Sequence, residues 1–246
     1  MTPVNPARAA AGAPGSAPSA ETTARPTAAA PAGPASPAET AAPADAAGPA
    51  PTRREQILRE AARLFAERGF HGVGVDEIGA AVGISGPGLY RHFAGKDAML
   101  AELLVGISGR LLASGRERRA AAEAADAGPA AVLDSLIDGH IAFALDDRAL
   151  IILHDRELGR LRDVDRKQVR SLQRQYVELW VEVVRALHPA VAEDDARAAV
   201  HAVFGLLNST PHLGRAGGLP GRDATAALLR RLAHGALAAL TGPARL

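Results

Sequence analysis

An all-α fold is predicted by three observations. From Thr52 onward, apolar residues recur at three- and four-residue steps; no stretch alternates at strand period; and the breaks fall at Gly, Pro or paired Asp residues that end helices. Residues 1–51 stand apart, with eleven of the 17 prolines, 20 alanines and no Ile, Leu, Phe, Trp or Tyr. Such a segment buries too little apolar surface to offset the entropy of ordering, so a disordered Ala/Pro-rich tail is expected there, part coil and part polyproline II. The 195 residues that remain suffice for one sizeable core, or for a small domain carried on a larger one.

Taken in order, Thr52 and Glu55 have the spacing of a capping box, and Ile57, Ala61, Leu64 and Phe65 form the apolar stripe of a first helix ended by Gly69. Two short helices follow, about Asp76–Val82 stopped by Gly83, and about Gly86–His92 capped by Ser85. A long helix runs from Lys96 to about Glu123, where Gly106, Gly109 and Gly115 predict a kink or break. Gly128-Pro129 opens the next helix, which reaches Asp146-Asp147. A short apolar helix over Leu150–Leu161 precedes a long one over Val164–Leu187, ended by His188-Pro189. Two more are expected at about 193–213 and 223–240, joined by the glycine-rich turn Gly214–Gly221, which makes about nine helices in all.

Charge and composition exclude several functions. With 28 Lys+Arg against 27 Asp+Glu the chain carries +1; the first 51 residues contribute −1, leaving about +2 on the rest. That rules out a globally basic nucleic-acid coat, so any DNA binding must come from a local cluster. Zero Cys removes disulfides, thiolate zinc sites and Cys nucleophiles. No run of 18 purely apolar residues occurs, so a cytoplasmic protein without membrane association is expected. Pro87 occupies the last glycine position of a Gly-x-Ser-x-Gly elbow, and Asp97 follows Gly95-Lys96 where a P-loop needs Ser or Thr. No two His lie three or four residues apart, so neither a helical metal site nor a cofactor is expected, and an all-α enzyme is the least favoured reading.

The informative stretch is Val75–Phe93, VDEIGAAVGISGPGLYRHF. Two helices crossing steeply over a tight turn need a small residue at the crossing, a residue tolerant of positive φ in the turn, and apolar pins. Gly79, Gly83 and the set Ile78, Val82, Ile84 and Leu89 fit these three needs. Ser85 would then cap a short helix whose first residues face a major groove. The run GISGPGLYRHFAGKDAML, preceded by a helix ending FAERGF, resembles the DNA-binding domain of TetR-family (TetR/AcrR) transcriptional regulators over about Thr52–Leu100.

That resemblance implies a three-helix helix-turn-helix domain over 52–98 and a ligand-binding and dimerisation bundle over 99–246. It further implies a homodimer through the last two helices, about 193–213 and 223–240, binding a pseudo-palindromic operator in double-stranded DNA. The expected DNA-contacting set is Arg53, Arg54, Ser85, Gly86, Pro87, Gly88, Leu89, Tyr90, Arg91, His92 and Lys96, with Arg91 able to read guanine and the other cations placed on phosphates. Five cations per half-site would give a salt slope of about −6 to −9. Two departures from the family pattern are visible: Gly74 stands where Ser or Thr opens the motif's first helix, and Gly86-Pro87-Gly88 offers no side-chain donor before Leu89-Tyr90.

Polar and aromatic residues among apolar faces mark the candidate ligand pocket: His140, Phe143, His154, Tyr176, Trp180, His201, Phe204 and Asn208. Such a lining suits a small hydrophobic or acylated effector, and the recognition segment is similar to regulators of acyl-CoA catabolism, so an acyl-CoA belongs to the expected class. A repressor released by this effector is the expected activity. A helical small-molecule-binding protein that has lost DNA binding is the alternative, suggested by the glycines at 74, 86 and 88.

Overall fold

The structure, a computed structural model, describes residues 50–213 and 221–241. The expectations for the tail up to residue 49 and for most of the glycine-rich turn lie outside the described residues. Among the described residues there are α-helices and short 3₁₀ turns only. The helices are α1 (Arg53–Arg68), α2 (Val75–Ala81), α3 (Gly86–Leu89), α4 (Lys96–Ala124), α5 (Pro129–Asp146), α6 (Arg148–Glu157), α7 (Asp163–Leu187), α8 (Glu193–Leu207), α9 (Thr210–Leu213) and α10 (Arg222–Ala238).

The capping box forms as expected: the Glu55 N–H donates to Thr52 Oγ1 at 3.2 Å, and Thr52 N–H donates to Glu55 Oε2 at 2.7 Å. Three boundaries differ from expectation. α3 is a single turn, with Tyr90–His92 continuing as turn rather than helix. α4 is unbroken over 29 residues despite its glycines. One of these has a packing role: a Cβ on Gly115 would lie 2.9 Å from the Tyr176 ring, so glycine lets α7 approach α4. The segment expected over 193–213 divides at Asn208-Ser209, where the Ser209 hydroxyl donates to Leu206 O and the one-turn α9 begins.

Two apolar clusters organise these helices. The first gathers α1, α2, α3, the first half of α4, and α6, around Ile57, Phe65, Ile78, Leu89, Leu104 and Leu153. The second gathers α5, α7, α8, α10 and the far half of α4, around Leu136, Ile137, Trp180, Val200 and Leu229. Leu111 on α4 packs against both. α4 is long and apolar enough by composition to cross a membrane, yet Met99, Leu100, Leu103, Leu104, Ile107 and Leu112 are all buried within these cores. α10 is tied to α5 by Arg222–Asp146 at 2.7 Å, Arg230–Asp138 at 2.8 Å and His234–Asp134 at 3.1 Å.

Candidate DNA-reading surface and effector chamber

The α2–α3 pair meets each geometric need. A Cβ on Gly79 would lie 2.8 Å from Ile84 O, so only glycine lets the chain cross there, and Gly83 has φ +71, the left-handed conformation the turn requires. Ile78 and Leu89 are fully buried pins, while Val82 and Ile84 are half-buried. Gly74 caps α2 without a side chain; Glu77 compensates by accepting from Gly74 N–H at 3.5 Å while pairing with Arg68. Ser85 Oγ accepts from Gly88 N–H at 3.3 Å, and Pro87 occupies the first turn, where its missing N–H is harmless.

The predicted DNA set separates into three groups. Ser85, Pro87, Tyr90 and Arg91 are exposed on one edge; Tyr90, at 58 % exposure, is a surface residue and not a packing tyrosine. Gly86, Gly88 and Leu89 are buried instead. A Cβ on Gly86 would collide with the Asp76 carboxylate, so these three hold α3 against α2 and shape the edge from beneath. The cations form the third group. Lys96 Nζ donates to Val73 O at 2.6 Å and Phe70 O at 3.0 Å and lies 4.8 Å above the Phe70 ring. It thereby staples the α1–α2 loop to the start of α4. Arg54 pairs with Glu102, donates to His92 O and stacks 4.1 Å above Phe93. Arg53 donates to Val82 O at 2.8 Å, and neither Arg53 nor Arg91 has a carboxylate partner among the described residues. His92 is half-buried. Residues 52–98 hold seven Lys+Arg against six Asp+Glu, so the positive footprint is small.

In the second core, six of the eight predicted ligand residues meet. His140 is buried; its ring stacks on Phe204 (4.8 Å, 7°) and on Tyr176 (5.9 Å, 12°), and Phe204 also stacks on Tyr176 (5.4 Å, 14°). Trp180 stands edge-on to all three, 5.0 Å from Phe204, and Phe143 edge-on to His140 at 5.7 Å. Burial pushes the His140 imidazole down to about 4, so it is neutral at physiological pH. With Asn208 Oδ1 3.1 Å from Nε2 and the Tyr176 hydroxyl 3.3 Å from Nδ1, Nε2–H donates to Asn208 and Nδ1 accepts from Tyr176. Burial raises the Tyr176 phenol to about 12, keeping it a donor; the Trp180 indole lies near enough to oppose that rise, without reaching hydrogen-bond geometry. The other two predicted residues lie elsewhere. His154, on α6, sits beside Asp155 and Gln173. His201, exposed on α8, lines a groove of about 440 Å³ with Arg170, Arg174, Val177 and Arg197.

Three residues that matter here escaped the sequence reading. Glu102, 48 positions from Arg54, neutralises it. Gly115 seats Tyr176. Arg118 crosses α5 over Gly139 to donate to Ser135 O at 3.2 Å. Each contact is long-range, and only the glycines left a signal, one that reads equally as helix weakness.

A tight turn that presents one short helical edge outward, on a helical body whose core gathers aromatic rings around a few polar tips, defines a helix-turn-helix transcriptional regulator. Comparison with known proteins agrees. A profile described as bacterial regulatory proteins, tetR family, matches residues 57–103, and one described as the tetracyclin repressor-like C-terminal domain matches 126–236. The HTH-type transcriptional repressor KstR2 of Mycobacterium tuberculosis is 31 % identical over 139 residues, covering 56 % of this chain and 68 % of that protein. Its solved structure superposes with a TM-score of 0.64 at 25 % identity, over 78 % of this chain and 97 % of that one. The structure of AibR in complex with isovaleryl coenzyme A and operator DNA superposes with a TM-score of 0.59 at 20 % identity, over 74 % and 97 %. The chain belongs to the TetR family of bacterial regulatory proteins and is a DNA-binding transcriptional regulator.

Proposed function

We propose that the protein is a cytoplasmic homodimeric repressor, and not an enzyme, which a small hydrophobic or acylated molecule releases from its operator, acyl-CoA thioesters being within that class. The relative named a repressor and the structure solved with isovaleryl coenzyme A and operator DNA support this reading. In it, residues 52–98 bind DNA and 99–246 bind ligand and the second copy, with 1–51 as an inert tail. Ser85, Pro87, Tyr90 and Arg91 meet the major groove, and Arg53 and His92 the backbone. The dimer forms through α8 and α10, whose outward faces carry Ala198, Ala202 and Gly205 beside Leu228, Leu232 and Gly235, small enough for close helix approach and apolar enough to bury.

The observation that carries the mechanism is the seat of Tyr176 on Gly115. α4 runs from the Lys96 staple under the DNA-reading edge to Gly115 under the chamber, so a ligand that moves the Tyr176 ring moves the helix that sets the edge. Two such edges must stand roughly 34–36 Å apart to occupy successive major grooves of B-DNA. Shifting the dimer from 99:1 to 1:99 needs a ligand preference of about 5.5 kcal/mol for the incompetent state. Selection of genomic fragments bound by the dimer, followed by anisotropy titrations with an acyl-CoA series, tests this; free coenzyme A should release nothing and an acylated form should release the enriched fragment. The paired states of Arg54 and Lys96 favour the competing reading, a binding protein without an operator, and failure to enrich any sequence would establish it.

A further inference from the structure

Among the described residues, Trp180 Nε1 is the one buried side-chain nitrogen or oxygen without a hydrogen-bond partner. Trp180 is fully buried, and an unmet donor there costs about 1–3 kcal/mol. Its polar neighbours are satisfied among themselves, since Tyr176 donates to His140 and His140 to Asn208. The Tyr176 hydroxyl keeps lone pairs on the indole side, but the indole N–H does not reach it in hydrogen-bond geometry and is left over. None of these rings is charged: His140 is neutral, and the nearby cation, Arg118, which is close enough to act on Tyr176, is engaged by the Ser135 carbonyl. A ligand group entering here must itself be neutral, because a buried unpaired charge would not be tolerated. Phe204 touches His140, Tyr176 and Trp180 at once, yet is only half-buried, and it sits on α8 at the same seam as the Arg170–Arg174–His201 groove.

Resting on the effector reading above, we propose that the ligand carries a neutral oxygen acceptor, of the carbonyl class, on an apolar frame; that this oxygen accepts the Trp180 indole N–H; and that Phe204 is the ring that swings aside to admit it. Trp180 is then the residue that selects a carbonyl compound over the matching hydrocarbon.

Because the chain has one tryptophan, its ¹H–¹⁵N spectrum contains one indole N–H resonance, which reads this contact directly. The probes are butyrophenone and butylbenzene, which differ by a carbonyl in place of a methylene, titrated into the full-length dimer. The ketone should move the indole resonance downfield and bind about tenfold more tightly than the hydrocarbon. Trp180→Phe should bring the two affinities together, and Phe204→Ala should tighten both. Equal affinities with no movement of the indole resonance overturn the proposal while leaving an apolar effector chamber in place. A resonance already downfield in the free protein, and moved upfield by Tyr176→Phe, assigns the N–H to Tyr176 and overturns it as well. Binding of neither probe, by wild type or by Phe204→Ala, removes the chamber itself and this inference with it.

Discussion

Acidification should loosen this protein through one side chain. His140 is held neutral by burial, its folded value depressed to about 4 against 6.5 for the free imidazole. The folded state then binds fewer protons than the unfolded chain wherever the pH lies between these values, so stability is full above about 6.5 and falls as pH drops toward 4. Between pH 7.5 and 5.0 the loss works out at about 2 kcal/mol, approaching the limiting slope of 1.36 kcal/mol per pH unit below 6. Carboxylates held by arginines, such as Glu178 beside Arg197, keep low folded values, so their contribution fails only below about 4.5 and leaves this window clear. The assay is equilibrium urea unfolding at fixed protein concentration across that range, for wild type and for His140→Gln, which keeps polar atoms but cannot titrate. The wild-type curve should fall by about 2 kcal/mol more than the variant's. Parallel curves would mean that His140 is hydrated and titrates normally, and the sealed aromatic cluster around it would be refuted.

Other perturbations follow from the same contacts. Gly115→Ala drives a methyl to 2.9 Å from the Tyr176 ring, so thermal unfolding should show a loss of about 1–3 kcal/mol, with operator affinity altered although the site is far from DNA. Lys96→Met removes the donors to Phe70 O and Val73 O and should lower stability by about 1–3 kcal/mol while leaving the salt slope of operator binding nearly unchanged. With Arg54 neutralised and Lys96 engaged, two cations per half-site remain, Arg53 and Arg91, so log K against log salt should have a slope of about −4; a slope near −9 would mean that the paired cations turn outward on DNA.

The sequence carries the architecture wherever its signal is local. Thr52 and Glu55 announce α1, Gly79 and Gly83 announce the crossing, and the period of α7 places Tyr176 and Trp180 on one face. What it does not carry is which partner reaches a side chain from far along the chain. Arg54 reads as a free cation because Glu102 is 48 residues away, and Lys96 because the carbonyls it binds belong to a loop. Gly86 and Gly88 read as surface because their smallness suits DNA and suits packing equally; what decides is the Asp76 carboxylate against Gly86 and the Ser85 hydroxyl against Gly88. The aromatic cluster was legible as a list of residues but not as a set: His154 packs half-buried beside Gln173 and His201 is exposed in the Arg170–Arg174 groove, both away from His140.

The central claim is that the exposed edge Ser85–Arg91 reads DNA. The most direct measurement is anisotropy titration of the selected operator with wild type, Tyr90→Ala and Arg91→Ala at one salt concentration, with melting and dimer mass recorded alongside. Both side chains are exposed, so stability and dimerisation should be unaffected, while each variant loses about 5- to 150-fold in operator affinity. Wild-type affinity in both variants would place the DNA surface elsewhere on the molecule.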